Sequence, residues 1–251
     1  MERRVISFDL DNTLADSKSP ISGQMATLLK DLLGSFQVCV ISGGKFEQFK
    51  KQLLDNLEAA PQTLAALHIM PTCGTRYFRF DVDARDWQQM YAEDLPAKER
   101  AKIIAALDEG ADALGYRAKR LWGEQIEDRG SQVTFSALGQ EAPVARKQAW
   151  DPDGTKKQKL RDYVAKALPE FEVQIGGSTS VDVTKPGIDK AYGITKLIEL
   201  LDVTKQDVLF VGDRLKKGGN DYPVKAMGVD CLEVSRWQDT ALVIQTILGV
   251  S

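Results

Sequence analysis

The chain has 251 residues, 43% of them hydrophobic, and a formal net charge of −3. That is apolar chain enough for one large or two modest domains, and the charge balance gives no electrostatic claim on nucleic acid or an acidic membrane. Three widely spaced cysteines (Cys39, Cys73, Cys231) form no C-x-x-C pair, which predicts reduced thiols in a cytoplasmic protein rather than a disulfide framework. Asp9 interrupts the first apolar run too early for a signal peptide, and no apolar stretch is long enough to span a bilayer. The single histidine, His68, sits among Leu64, Leu67 and Ile69, so it is expected to be packed, and histidine-based catalysis is improbable.

Residues 5–8, V-I-S-F, are an apolar, β-favouring run that stops at Asp9 and Asp11. Residues 22–33 repeat Met25, Leu28, Leu29 and Leu32 at helical spacing, with Gly34 after them. Residues 36–41 read as a second buried strand that ends at Ser42-Gly43-Gly44-Lys45, and Phe46, Phe49, Leu53 and Leu54 mark the helix after it. A hydroxyl and free amides at a helix N-terminus suit a phosphate. Residues 67–71 and 76–81 read as two more strands. The polar stretch 81–85 then marks a crossing into a different rhythm: a long helix over 96–114, a hairpin over 125–138 turning at Gly130, a helix after Asp151-Pro152-Asp153, and a hairpin over 171–184 turning at Gly176-Gly177. After Pro186-Gly187 the α/β alternation returns. A helix over 188–201 carries Lys190 in its first turn, a strand over 207–211 ends at Gly212-Asp213, and a glycine-rich loop leads to Asn220-Asp221. A turn-and-strand step and a closing helix over 240–248 follow.

This pattern predicts an α/β, Rossmann-like core with a parallel sheet, built from residues 1–83 and 185–251, and an inserted α+β unit, αββαββ, over 84–184. In open α/β sheets, ligands bind at the carboxyl ends of the strands. There the sequence places Asp9 and Asp11, Ser42, and Asp213 with Asp221, while Lys190 opens a helix. If strand geometry persists beyond residue 8, Asp9 and Asp11 face one small volume, and a hard cation such as Mg²⁺ relieves their repulsion. Asn12 tolerates a left-handed turn, and Thr13 adds a hydroxyl. These are parts for phosphoryl transfer: a carboxylate nucleophile at Asp9, an acid/base at Asp11, phosphoryl-oxygen donors at Ser42 and Lys190, and a metal held by Asp9, the Asp11 backbone carbonyl and Asp213.

Asp9-Leu10-Asp11-Asn12-Thr13, Ser42, Lys190 and Gly212-Asp213 with Asn220-Asp221 together resemble, in order and placement, the four motifs of the haloacid dehalogenase (HAD) superfamily. The resemblance spans the chain, and the insert resembles the α+β cap of subfamily IIB. Asn12 departs from the glycine that most members carry. The long loop G-D-R-L-K-K-G-G-N-D, the segment 176–183 and Gly187-Ile188-Asp189-Lys190 are similar to the eukaryotic phosphomannomutase branch. That resemblance implies substrate contacts at Gly43, Asn220, Ser180, Asp182 and the position of Gln140, Asp221 as a further metal residue, and distal-phosphate recognition by Arg129. The second arginine expected in such a cap reads Gln140, with Arg146 the nearest alternative. The implied activity is an Mg²⁺-dependent phosphatase of a small phosphorylated metabolite, such as a sugar phosphate. The alternatives are a phosphomannomutase and a catalytically silent phospho-acceptor. Substrate entry between core and cap, with Arg129, Ser180 and Asp182 facing the cleft, is a further expectation of the resemblance.

Overall fold

A computed structural model describes residues 4–250. In chain order the elements are β1 (Val5–Phe8), α1 (Gly23–Leu33), β2 (Gln37–Ile41), α2 (Phe46–Gln52), α3 (Pro61–Leu64), β3 (Leu67–Met70), β4 (Arg76–Asp81), β5 (Asp86–Ala92), α4 (Ala97–Ala113), β6 (Ile126–Asp128), β7 (Gln132–Ser136), α5 (Val144–Trp150), α6 (Thr155–Ala167), β8 (Glu172–Ile175), β9 (Ser180–Thr184), α7 (Lys190–Leu201), β10 (Val208–Gly212), α8 (Tyr222–Ala226), β11 (Asp230–Glu233) and α9 (Trp237–Val250). They divide into two compact units, residues 1–92 with 189–251, and residues 93–188.

The first unit is an α/β layer around a seven-stranded sheet in the order β11-β10-β1-β2-β3-β4-β5. The strands from β11 to β3 run parallel, and β4 and β5 are antiparallel. Val5 pairs with both Gln37 and Val208, so β1 is central and fully buried. Buried parallel strands read as unbroken apolar runs because helices cover both faces. One face packs Phe8, Met25, Leu29, Leu32 and Phe49, and the other packs Ile41, Ile194, Leu197 and Phe210. Ser22 caps α1 by accepting the Met25 amide at 3.2 Å. Gly34 closes the helix in a right-handed conformation, φ −71°.

The boundary differs from the sequence expectation. Residues 86–92, placed there in the insert, form β5, which pairs with β4 from Asp81↔Asp86 to Arg76↔Ala92. The polar stretch 81–85 is therefore a hairpin turn, with Arg85 at φ 53°, and not a crossing between units. Its reason is local: Asp81 Oδ1 accepts the amides of Asp83 and Ala84, an Asx turn that sends the chain back along its own sheet.

His68, on β3, is fully buried between the Tyr77 hydroxyl (2.7 Å from Nδ1) and Gln37 Oε1 (2.8 Å from Nε2). It is a packed residue on a strand, as its apolar neighbours suggest.

The second unit carries a four-stranded antiparallel sheet, β6-β7-β9-β8. Val133, Phe135, Val181 and Val183 pack on Ile103, Leu107, Leu160 and Val164 of α4 and α6. The alternate positions Gln132, Thr134, Ser136, Ser180 and Asp182 form the other, polar face. Asp151 caps α6 by accepting the amides of Lys156 and Lys157 at 2.9 and 3.0 Å. Helix α5 is additional to the expected αββαββ order. Its sequence, V-A-R-K-Q-A-W, has too few apolar positions to announce a helix.

Candidate active site

The parallel sheet has its topological switch at β1: the chain moves out through β2 and β3 on one side and returns to β10 and β11 on the other. Asp9 follows β1 and donates its amide to Val211 O of β10 at 3.0 Å. Asp213 follows β10, and Asp221 precedes α8. Carboxylate oxygens of Asp9, Asp213 and Asp221 lie within 4.8 Å of one another. Gly212 is needed for this, because a Cβ there would stand 2.6 Å from Asp221 Oδ2. Lys190 Nζ, at the first turn of α7, donates to Asp9 Oδ1 and to Asp221 Oδ1, the latter at 2.5 Å. Asp221 Oδ2 also accepts the Arg214 amide at 2.9 Å. Thr13 Oγ1 stands 3.4 Å from Asp9 Oδ2, and Asn12 Nδ2 stands 3.4 Å from Asp213 Oδ2.

The start of α7 is fixed by backbone packing. A Cβ on Gly193 would fall 2.6 Å from Cys73 O and 2.4 Å from Ile41 Cδ1, and one on Gly74 would fall 2.4 Å from Gly193 Cα. The Thr72–Cys73 turn has both residues left-handed (φ 48° and 57°). It also holds the loop after β2, with Cys73 N donating to Ser42 O and Thr72 N to Gly44 O, each at 3.0 Å. Ser42 is buried, its Oγ accepting the Gly44 amide at 3.3 Å, and Gly43 lies between them. The same turn therefore anchors both the Ser42 loop and the helix that presents Lys190.

Burial, together with the Asp221 and Asp213 charges, pushes Asp9 up to about 7 against the pull of Lys190. Asp213 is raised by burial and by Asp221. Burial would draw Lys190 down, but Asp221 and Asp9 override it and raise it. One ammonium thus faces three clustered carboxylates. Their oxygen donors suit a hard divalent cation, and such a cation would offset the repulsion that holds Asp9 up.

Asp11 departs from the expectation. β1 ends at Phe8, and Asn12 takes a left-handed conformation (φ 63°), so the side-chain alternation of a strand does not reach residue 11. Its carboxylate turns from the cluster to Lys18 (amide 2.8 Å, Nζ 3.4 Å), Gln48 Nε2 (3.1 Å) and Gln52 Nε2 (3.2 Å). Burial would raise it, but Lys18 and the Gln52 bond outweigh that and hold it below the usual carboxylate range. Sequence reasoning missed Gln48 and Gln52. Their i, i+4 spacing on α2, beside apolar Phe46 and Phe49, was the available signal.

Asn220, in the loop before α8, keeps a buried Oδ1 with no hydrogen-bond partner among the described residues. In the second unit, Arg129 Nε donates to Glu127 Oε2 at 2.7 Å, an ion pair with both side chains under a tenth exposed. Asp182 Oδ1 accepts the Thr134 hydroxyl at 2.7 Å, and Ser180 lies two residues away on the same face of β9. Gln140 Nε2 is buried without a hydrogen-bond partner among the described residues. Lys147, not Arg146, reaches Gln140, donating from Nζ to its carbonyl oxygen at 2.7 Å. Arg146 lines a different cavity.

Residues 6–223 match the haloacid dehalogenase-like hydrolase family. The chain belongs to that family. It is an enzyme of the phosphohydrolase and phosphotransferase kind, with a buried aspartate cluster suited to a divalent metal. Among curated relatives it is 23% identical to a phosphomannomutase of Encephalitozoon cuniculi over 89% of this chain and 84% of that one. It is 26% identical to phosphomannomutase 2 of Dictyostelium discoideum over 86% and 84%. Among solved structures, an IMP-bound IMP-nucleotidase of Plasmodium falciparum aligns with a TM-score of 0.71 at 15% identity, over 99% of this chain and 68% of that one. A haloacid dehalogenase-like hydrolase from Bacteroides thetaiotaomicron aligns with a TM-score of 0.65 at 16% identity, over the whole of both chains. At these identities the solved structures speak to the fold alone. No helix among the described residues is long and apolar enough to cross a membrane.

Proposed function

We propose that the protein is an Mg²⁺-dependent phosphatase of a small phosphorylated metabolite, a sugar phosphate in particular. The observation that carries this is Asp9 itself: a buried carboxylate at the end of the central strand, in contact with Lys190, with two further carboxylates within 4.8 Å. The Asp9 carboxylate attacks the phosphorus of the monoester. The bond from phosphorus to the leaving oxygen breaks, and that oxygen takes a proton from the Asp11 carboxyl. Water then attacks the aspartyl phosphate, Asp11 accepts its proton, and the bond from phosphorus to Asp9 breaks to release phosphate. Lys190 and Ser42 hold the phosphoryl oxygens. Asp9, the Asp11 backbone carbonyl and Asp213, with Asp221, would hold Mg²⁺, which would supply positive charge between an anionic carboxylate and an anionic phosphate. To act as the acid, Asp11 must exchange Lys18, Gln48 and Gln52 for the leaving oxygen.

A mutase reading is favoured by the phosphomannomutase relatives and by the buried Lys147 ammonium beside Gln140. A mutase must grip a bisphosphate in two orientations, which calls for a strongly cationic distal site. Here Arg129 already pairs with Glu127, and Gln140 carries no charge, which supports the hydrolase. Incubation with mannose-1-phosphate and a catalytic amount of hexose bisphosphate decides: free phosphate is expected, and mannose-6-phosphate in its place would overturn the reading. Turnover of an aryl phosphate with Mg²⁺, lost in EDTA, is the companion result. Its absence would leave only a silent binding protein.

A further inference from the structure

The second unit holds a cavity of about 380 Å³ between the segment that joins α4 to β6 and the end of α5. That volume is within the range of small-molecule sites, roughly 300–1,000 Å³. Its lining combines Tyr116, Trp122 and Trp150 with Lys119, Arg120 and Arg146.

The charges around it are of two kinds. Arg117, which also borders the cavity, is neutralised by Asp108 and Asp112, each at 2.6 Å, and so ties the segment to α4. Lys119, Arg120 and Arg146 have no carboxylate at ion-pair distance among the described residues. Three like charges around one cavity repel, and an anion would relieve them. The rings are half-buried and set at angles: Tyr116 meets Trp150 edge-on at 5.5 Å. The Arg120 guanidinium lies 4.7 Å over the Trp122 ring, making a flat cationic platform. Aromatic faces backed by guanidinium groups stack planar rings whatever their edges carry.

We infer that this cavity is a second ligand site, separate from the aspartate cluster, for a small molecule that joins a planar ring to a phosphate, as a nucleoside monophosphate does. The ring stacks on the Trp122 and Trp150 side, and the phosphate meets Arg120, Arg146 and Lys119.

The four tryptophans make the test site-specific. Trp122 and Trp150 line the cavity, whereas Trp87 and Trp237 belong to the core of the first unit. In indole ¹H–¹⁵N spectra of the full chain, AMP at up to millimolar concentration is expected to move the Trp122 and Trp150 signals along one saturation curve and to leave Trp87 and Trp237 in place. AMP bound only as an active-site phosphate ester would not follow that pattern. The double variant R120E/R146E should keep its thermal melt and weaken the effect by roughly tenfold or more. Adenosine and inorganic phosphate, given singly, should bind more weakly than AMP. No movement of Trp122 and Trp150, equal movement in the double variant, or equal affinity for phosphate alone would each overturn the proposal.

Discussion

Lys190 Nζ and Asp221 Oδ1 meet at 2.5 Å, with both side chains sealed from solvent. The two residues come from opposite ends of the glycine-rich loop and α7, so this pair joins helix and loop in the first unit. Removing one partner of a buried ion pair costs about 3–5 kcal/mol, because the other is left charged in a poor solvent. Lys190→Met should therefore lower the unfolding free energy by that order and abolish phosphatase turnover. Mg²⁺ should raise the melting temperature of this variant more than that of the wild type, since the buried ammonium no longer offsets the cluster. Equal stabilisation of the two proteins would argue against a metal among these three aspartates.

Asp9→Asn separates chemistry from folding. The amide keeps the shape and can still accept from Lys190, while the charge that Asp221 and Asp213 oppose is gone. Turnover should fall below detection, and the melting temperature without metal should hold or rise. Substantial residual turnover would mean that another group is the nucleophile.

Asp11→Asn should spare metal binding, because the role assigned to residue 11 in the metal site is its backbone carbonyl. The loss of rate should be larger for an alkyl phosphate than for an aryl phosphate, whose leaving group needs less protonation. Equal losses for both substrates would remove the general-acid assignment.

Arg129 is best tested with its partner. Arg129→Ala alone strips a buried carboxylate of a guanidinium, so the double variant R129M/E127Q is the cleaner probe. If Arg129 recognises the far end of a substrate, the double variant should lose a guanidinium–anion contact worth on the order of 1.5–3 kcal/mol. The loss in kcat/KM should appear for a substrate with a distal anionic group and not for a small aryl phosphate. Parallel losses would make the Arg129–Glu127 pair structural.

His68 gives the fold an acid limit. Burial, with the Arg79 guanidinium adding to it, lowers its imidazole from 6.5 to about 3. Between those values the unfolded chain binds a proton that the folded chain refuses. Its contribution is therefore complete above pH 6.5 and is lost as the pH falls towards 3, at a slope on the order of 1 kcal/mol per pH unit. Denaturant melts from pH 7 to 4 should show a shallower slope for His68→Gln than for the wild type. An unchanged slope would place the proton uptake elsewhere.

Much of the core was legible because strands buried on both faces must be apolar throughout, and V-I-S-F and V-L-F-V-G cannot easily be anything else. Strand β5 was not legible: D-W-Q-Q-M-Y-A is an edge strand, largely exposed, and its membership is written in the register with β4 rather than in its own pattern. The site divides the same way. Asp9, Lys190, Asp213 and Asp221 sit at element ends that the sequence marks, and the sheet brings them together. The turn of Asp11 depends on Lys18, Gln48 and Gln52, contacts spanning 7 to 41 residues, which no local window contains. Lys147 was hidden by its neighbour, because the sequence offers Arg146 and Lys147 side by side and only the helix decides which is buried.

The sheet order also bears on how the protein is made. β1 is synthesised well before β10, yet β10 completes one of its two edges, where Phe8 pairs with Val211. At about 5–20 residues per second, the roughly 200 residues between them take on the order of 10–40 s to synthesise. Through that interval the central strand has one open apolar edge, and neither Lys190 nor Asp213 exists to complete the cluster. Until β10 is made the chain is thus inert as an enzyme and sticky as a sheet, and one segment, α7 through β10 and its loop, closes the sheet edge and completes the cluster together.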